Sequence, residues 1–258
     1  MVAGTKAETV IAIIEKIPLK QRNLVNEITL DMAGNMGLIA KRGFPKATQV
    51  TDRFHVQKLA SEALQEIRIK HRWEAIDHEN EAIEKTKKNK NRFEPELLTN
   101  GDTVKQLLAR SRYFLYKNKS KWTANQLQRA NLLFELYPDI KEAYNLSQGL
   151  RNIFENTTDK IIAFARLAKW HEKVNQSGFK SFNTISRTII NHYQNILNYF
   201  DNRSTNASAE SFNAKIKAFR SQFRGVRKID FYCLDYLIFL PNPQLLNLIL
   251  EILQFSFK

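Results

Sequence analysis

From Phe54 onward, helical periodicity persists for about 145 residues, and nothing else in the chain restricts its fold as strongly. Val56, Leu59, Ala63, Leu64 and Ile67 open that block with an apolar stripe at helical spacing. Further helices are predicted after Asp102, from Thr123 as a cap, after Pro138, at Thr158 and near Ser181. The block reads as all-helical and without an internal repeat. A basic stretch, Lys85 to Arg92, interrupts it as a solvated loop or helix face.

A different pattern precedes the block. Val25 to Leu30 is short and rich in branched apolar residues, and it stops at Asp31; Met32 to Arg42 then takes helical spacing until Gly43 and Pro45 break it. Ala47 to Thr51 reads as a second strand ending at Asp52. The expectation is a compact βαβ unit with Asp31 and Asp52 each at the C-terminal end of a strand, where open α/β sheets place their chemistry. The earliest residues, Ala7 to Ile17, read as an amphipathic helix.

After a polar turn, Asp201 to Asn206, another helix is predicted from about Ala207. Phe212, Ile216, Phe219 and Phe223 would form one buried stripe, and Glu210, Asn213, Lys217 and Arg224 lie roughly opposite. Lys215, Lys217, Arg220, Arg224, Arg227 and Lys228 put six cations within fourteen positions after Glu210. Beyond Ile229 the stretch is apolar, with Asp230, Asp235, Glu251 and Lys258 as its charges.

Composition narrows the functional classes. The 258 residues can bury a substantial core, and 40 Lys+Arg against 26 Asp+Glu give a net charge of +14, which favours a polyanionic partner such as nucleic acid. The one cysteine, Cys233, excludes an intrachain disulfide and a cysteine-rich zinc module. His71, His78, His171 and His192 have no metal-ligand spacing. Met1 to Lys20 lacks a signal-peptide pattern, and Tyr236 to Leu250 is broken by Pro241 and Pro243 and is too short for a membrane span. The expectation is an intracellular protein that does not cross a membrane.

Taken in order, Asp31-Met32, Pro45, Asp52-Arg53-Phe54-His55, a helical block and Glu210-Ser211-Phe212-Asn213-Ala214-Lys215-Ile216-Lys217 form a constellation. It resembles the DDE transposases of bacterial insertion sequences, of the ISL-three-like type, from about Val25 to Lys228. The resemblance implies an α/β, mostly helical fold: a partial RNase H-like core, made of the short βαβ and a catalytic helix, with a large all-α insertion. It divides the chain into a partial core at 1–53, an insertion at 54–200, the catalytic helix and basic segment at 201–228, and an atypical apolar tail at 229–258.

The same resemblance implies that Asp31 is the second acid of the catalytic triad and Glu210 the third, both binding metal. Asp52, His55 and Asn213 would support them; the Asp52-x-x-His55 pair would organise the start of the insertion. Position at a strand end does not by itself choose between Asp31 and Asp52. Two divalent ions, Mg2+ or Mn2+, would activate the attacking oxygen and stabilise the leaving one. DNA ends and target DNA are the implied partners, with Lys215, Lys217, Arg220, Arg224, Arg227 and Lys228 as contacts. The setting would be bacterial cytoplasm at the nucleoid, and the working form a homo-oligomer on DNA.

One departure carries its own expectation. The family pattern places a first Asp well upstream of the second, and residues 1–30 contain none. A two-stranded remnant would leave both sheet edges unpaired, which is marginal. The chain is therefore expected to act with a partner polypeptide encoded upstream that supplies the first Asp, and its atypical tail fits a disrupted reading frame.

Plainer roles compete with these. Asp31 can cap the following helix, Glu210 can complement a helix dipole, and His55 can be a hydrogen-bonded structural residue. Arg110, Arg112, Lys119 and Lys121, interleaved with aromatics, can contact DNA or merely border a core. The alternatives for the whole chain are a non-catalytic basic helical nucleic-acid-binding protein and an inactive transposase remnant.

Overall fold

A computed structural model describes residues 6–222. In chain order the elements are α1 (Ala7–Ile14), α2 (Leu19–Arg22), β1 (Glu27–Leu30), α3 (Gly34–Gly43), β2 (Thr48–Thr51), α4 (Arg53–Lys88), α5 (Val104–Ser111), α6 (Ala124–Leu136), α7 (Pro138–Glu155), α8 (Lys160–Ser177), α9 (Lys180–Asn191), α10 (Tyr193–Leu197), α11 (Tyr199–Asn202) and α12 (Ala207–Gln222). The fold is mostly helical with a small parallel sheet. Two compact units divide it: Pro18–Ser204, and a second made of the segments before and after it.

Within Pro18–Ser204 the chain forms the expected strand, helix and strand. β1 and β2 are parallel, with Glu27 opposite Thr48 and Leu30 opposite Thr51. Their crossover, α3, is held at both ends. Gln49 donates its side-chain N–H to the Gly37 carbonyl at 3.2 Å, and Arg22 donates to the Gly43 carbonyl at 2.6 Å.

As expected, the sheet has two strands, and among the described residues neither edge pairs with a third; side chains reach it instead. On the outer edge of β2 the Gln49 carbonyl accepts from the Asn198 side chain at 2.9 Å, and the Asn202 side chain donates to the Glu27 carboxylate at 2.8 Å. Residues at the far end of the helical block thus satisfy strand groups that would otherwise cost free energy if desolvated unpaired.

The helical block grows out of β2. Val50 is fully buried and belongs to the same core as Val56, Leu64, Leu107, Leu133, Ile140, Leu150, Phe182 and Ile196. The first half of α4 carries its buried residues, and charged positions surround the second half, so Trp73 is exposed. Local chemistry sets the helix starts. Thr103 and Thr123 each form a capping box, with Gln106 and Gln126 respectively, and Pro138 opens α7 at a position where its missing N–H costs nothing.

Asp159 caps α8 by accepting from the Ile162 amide at 2.8 Å, one residue after the Thr158 expected in that role. Gly178 ends α8 with φ +71°, a conformation that favours glycine. Lys85, Lys87 and Lys88 form the exposed last turn of α4, and the rest of that basic stretch continues past Asn89, so the reading as a helix face and loop holds.

Polar anchors are buried with their partners. Asp102, 2% exposed, receives Arg110, Arg129 (2.7 Å) and Asn100 (2.9 Å). Arg68 donates to the Leu108 carbonyl at 2.7 Å, and burial, reinforced by nearby Arg72, pushes its guanidinium below the usual range. Trp122 donates to the Phe114 carbonyl and Tyr144 to the Lys117 carbonyl, at 2.8 and 2.9 Å, and these rings pack with Phe134 into one aromatic cluster.

In the second unit, α1 buries Ala7 and Ile11, and α12 runs from Ala207 to Gln222. Of the stripe expected to be buried on α12, Phe212 is 42% exposed and Ile216 half-buried, and the Phe219 side chain is not among those described. Periodicity identifies an apolar face but not whether anything covers it. Phe223 and the apolar tail from Ile229, with Cys233, lie outside the described residues.

Candidate functional site

Asp31 directly follows β1 and Asp52 directly follows β2, so the register of the parallel pair sets them side by side at its C-terminal end. The Asp52 amide extends the ladder by donating to the Leu30 carbonyl at 3.0 Å. Neighbouring strands are spaced by about 4.8 Å, and the two backbones emerge at roughly that separation.

Their environments differ sharply. Asp52 is fully buried; its Oδ1 accepts from the Phe54 amide at 3.0 Å and caps the 36-residue helix α4. Asp31 is half-buried and its Oδ1 accepts from the Ala33 amide at 3.0 Å, a turn that leads into α3. Ala33, not Asp31, occupies the N-cap position of that helix, so the capping role open to Asp31 is realised only as this turn. For Asp52, capping is a realised role.

His55 Nδ1 lies 3.7 Å from Asp52 Oδ2, too far for a hydrogen bond and within ion-pair range for a protonated ring. That nitrogen is buried and finds no hydrogen-bond partner among the described residues, so the hydrogen-bonded structural role does not hold at Nδ1. Arg53 stacks its guanidinium over Phe54 at 4.8 Å. The Asp-Arg-Phe-His segment is thus a helix start packed on itself, with only its Asp committed to backbone.

Glu210 belongs to the other unit. Its amide donates to the Asn206 carbonyl at 2.8 Å, which places the exposed carboxylate in the first turn of α12. Acids are favoured there by the helix dipole. Asn213 and Lys217, three and seven positions on, share its face, and with Lys215 they are exposed. The helix trace includes Arg220; Arg224, Arg227 and Lys228 lie outside the described residues.

Sequence reading missed Asn198, which holds the outer edge of β2, because a contact across 149 positions leaves no local trace. Among the described residues, no group of three or more His, Cys, Asp or Glu is gathered for a metal. The donor chemistry nonetheless suits a hard divalent cation: Asp31 and Glu210 are carboxylates with accessible surface, whereas the Asp52 carboxylate is spent on the helix start.

A family model described as Transposase, of the DDE, ISL-three type, matches residues 1–235, and the chain belongs to that family. Neither the curated proteins nor the solved structures contain a significant match. Transposases bind DNA, the family's class is polynucleotidyl transfer, and its chemistry generally uses divalent metal ions. Among the described residues, no helix is long and apolar enough to cross a membrane.

Proposed function

We propose that this chain is the catalytic portion of a transposase that cuts and joins DNA by metal-dependent phosphodiester transfer on an RNase H-like core. The observation that carries the reading is the half-buried Asp31 carboxylate at the C-terminal end of a parallel strand pair, in a chain whose family match spans both acidic motifs. Parallel β1 and β2, their crossover α3 and the helical block that follows are compatible with an RNase H-like core carrying an insertion.

In this reading Asp31 and Glu210 are two of the three acids that hold a pair of Mg2+ or Mn2+ ions. Bound there, the ions would supply activation of the attacking oxygen and charge stabilisation at the leaving one. Asp31 is favoured over Asp52 because the latter is buried and caps α4. Asp52 then acts as a positioning residue: it fixes where the insertion starts, with His55 beside it. Asn213 shares the Glu210 face of α12 and is assigned to support that carboxylate. Lys215, Lys217, Arg220, Arg224, Arg227 and Lys228 hold the phosphate backbone, Lys217 on the same helix face as the acid.

The first acid is proposed to come from a partner polypeptide. The active form is proposed to be a homo-oligomer on paired DNA ends.

The test is co-expression with the upstream reading frame, followed by cleavage of a plasmid carrying the element ends in Mg2+. Glu210→Gln abolishes cleavage at nearly unchanged DNA affinity. Replacing Lys215 and Lys217 with Ala weakens binding and flattens its salt dependence, by about one unit of slope per lost phosphate contact. Cleavage by Glu210→Gln at the wild-type rate contradicts the reading and leaves a non-catalytic DNA-binding protein.

A further inference from the structure

The helical block carries a groove whose two walls have different chemistry. On α8, Arg166, Lys169 and Lys173 follow at intervals of three and four, so they form one row over two turns. On α7, Asn145, Gly149 and Asn152, with Asn156 at the C-cap, form the facing row at intervals of four, three and four. Between them lies a cleft of about 620 Å³, floored by Leu146, Ile153 and Trp170.

We propose that this groove holds the phosphodiester backbone of a DNA strand, as a contact surface separate from the basic residues of α12. It rests on the proposed function only for the expectation that DNA is the polyanion.

Charge is the first support. The Lys169 and Lys173 side chains make no ion pair or hydrogen bond among the described residues, although eleven other charged side chains of the same unit have found ion-pair partners. Arg166 is oriented by donating through Nη1 to the Asn156 carbonyl at 3.0 Å and to Thr157 Oγ1 at 2.8 Å, and neither partner neutralises it. Among the described residues lining the groove Glu142 is the only acid, so three cations face one carboxylate.

Shape and neutral donors are the second. Gly149 sits inside α7, where glycine is unfavourable relative to alanine. A Cβ at that position would meet Trp170 Cδ1 at 3.6 Å, an ordinary contact, so close packing does not demand glycine; its effect is to keep the groove open. The Trp170 N–H is committed to the Leu146 carbonyl at 2.8 Å and leaves the floor apolar. On the opposite wall the exposed Asn145 and Asn152 carry amide donors of the kind that bond phosphate and sugar oxygens, and Asn156 donates to Asn152 Oδ1 at 2.6 Å. The cations extend over about 10 Å of helix, at 1.5 Å per residue, which suits a strand better than a single phosphate ion.

The test uses the full chain and a fluorescein-labelled DNA duplex of random sequence, with anisotropy followed over a series of KCl concentrations. The Lys169→Gln/Lys173→Gln double variant binds roughly tenfold more weakly, with a slope of log K against log salt shallower by about two. Gly149→Gln, which fills the groove without changing charge, also weakens binding, whereas Gly149→Ala binds as wild type does. Circular dichroism melting reports that each variant is folded.

Wild-type affinity and slope in the double variant overturn the proposal, as does a wild-type chain without affinity for DNA. Glu210→Gln separates this from the catalytic reading. If it loses cleavage while the groove variants bind normally, the groove fails alone; if it cleaves normally while the groove variants lose binding, the catalytic reading fails alone.

Discussion

The Asp52 amide donates to the Leu30 carbonyl at 3.0 Å, so Asp52 and Asp31 leave adjacent parallel strands at the same end of the sheet, one buried and capping a helix, the other half-exposed. Two aspartates alike in sequence context therefore have separable consequences when replaced.

Asp52→Ala removes the cap of α4 and lowers unfolding free energy by about 1–2 kcal/mol. Asp31→Asn keeps an oxygen that can accept from the Ala33 amide and changes stability by less than about 0.5 kcal/mol. Urea denaturation of the two variants checks this. A larger loss at Asp31 than at Asp52 would reverse their assigned roles.

Asp102 binds Arg110 and Arg129 from two different helices while itself nearly inaccessible. Asp102→Ala leaves both guanidinium groups without their carboxylate and frees Asn100 from its acceptor, costing roughly 3 kcal/mol. Arg110→Ala costs less, because half of that side chain is in solvent and Arg129 remains. Thermal melts of the two variants should rank in that order.

Burial pushes the Tyr144 phenol up to about 12, while nearby Arg151 and a backbone hydrogen bond act in the opposite direction. A phenol raised above its unfolded value of about 10 contributes stability that is complete below pH 10 and lost as pH rises through 12. Wild-type stability should fall across that alkaline window, and Tyr144→Phe should show a shallower fall. Equal slopes for the two proteins would assign the loss to other groups.

Thr123 and Gln126 satisfy each other's backbone amides at the start of α6. Thr123→Ala should cost about 1 kcal/mol and Thr123→Ser much less, read from urea midpoints at constant slope.

Much of this was legible in the sequence where local chemistry decides. The strand ends at Leu30 and Thr51, the Thr123 cap and the start of α7 at Pro138 all follow from residues within a few positions of the feature. Where partners are distant, legibility failed. Asn198 reaches the Gln49 carbonyl and Asn202 the Glu27 carboxylate from 149 and 175 positions away, and neither asparagine differs from a surface residue in its own neighbourhood.

The Arg166, Lys169 and Lys173 row becomes one wall of a groove only because α7 lies beside α8. The apolar stripe of α12 illustrates the converse. Phe212 and Ile216 keep helical spacing, yet Phe212 is 42% exposed, because periodicity specifies which residues share a face and not what packs on it. Asp31 and Asp52 could not be told apart by position, since burial, not distance along the chain, distinguishes them.

The proposed function requires the Asp31 and Glu210 carboxylates to hold the same divalent ions. Mn2+ binding to the full chain with element-end DNA, followed by electron paramagnetic resonance of free Mn2+, addresses it without requiring turnover. The account predicts that Asp31→Asn and Glu210→Gln each lose most of the bound Mn2+ and that the double variant loses little more, as for two ligands of one site. Full Mn2+ binding in either single variant, or additive losses in the double, would contradict it.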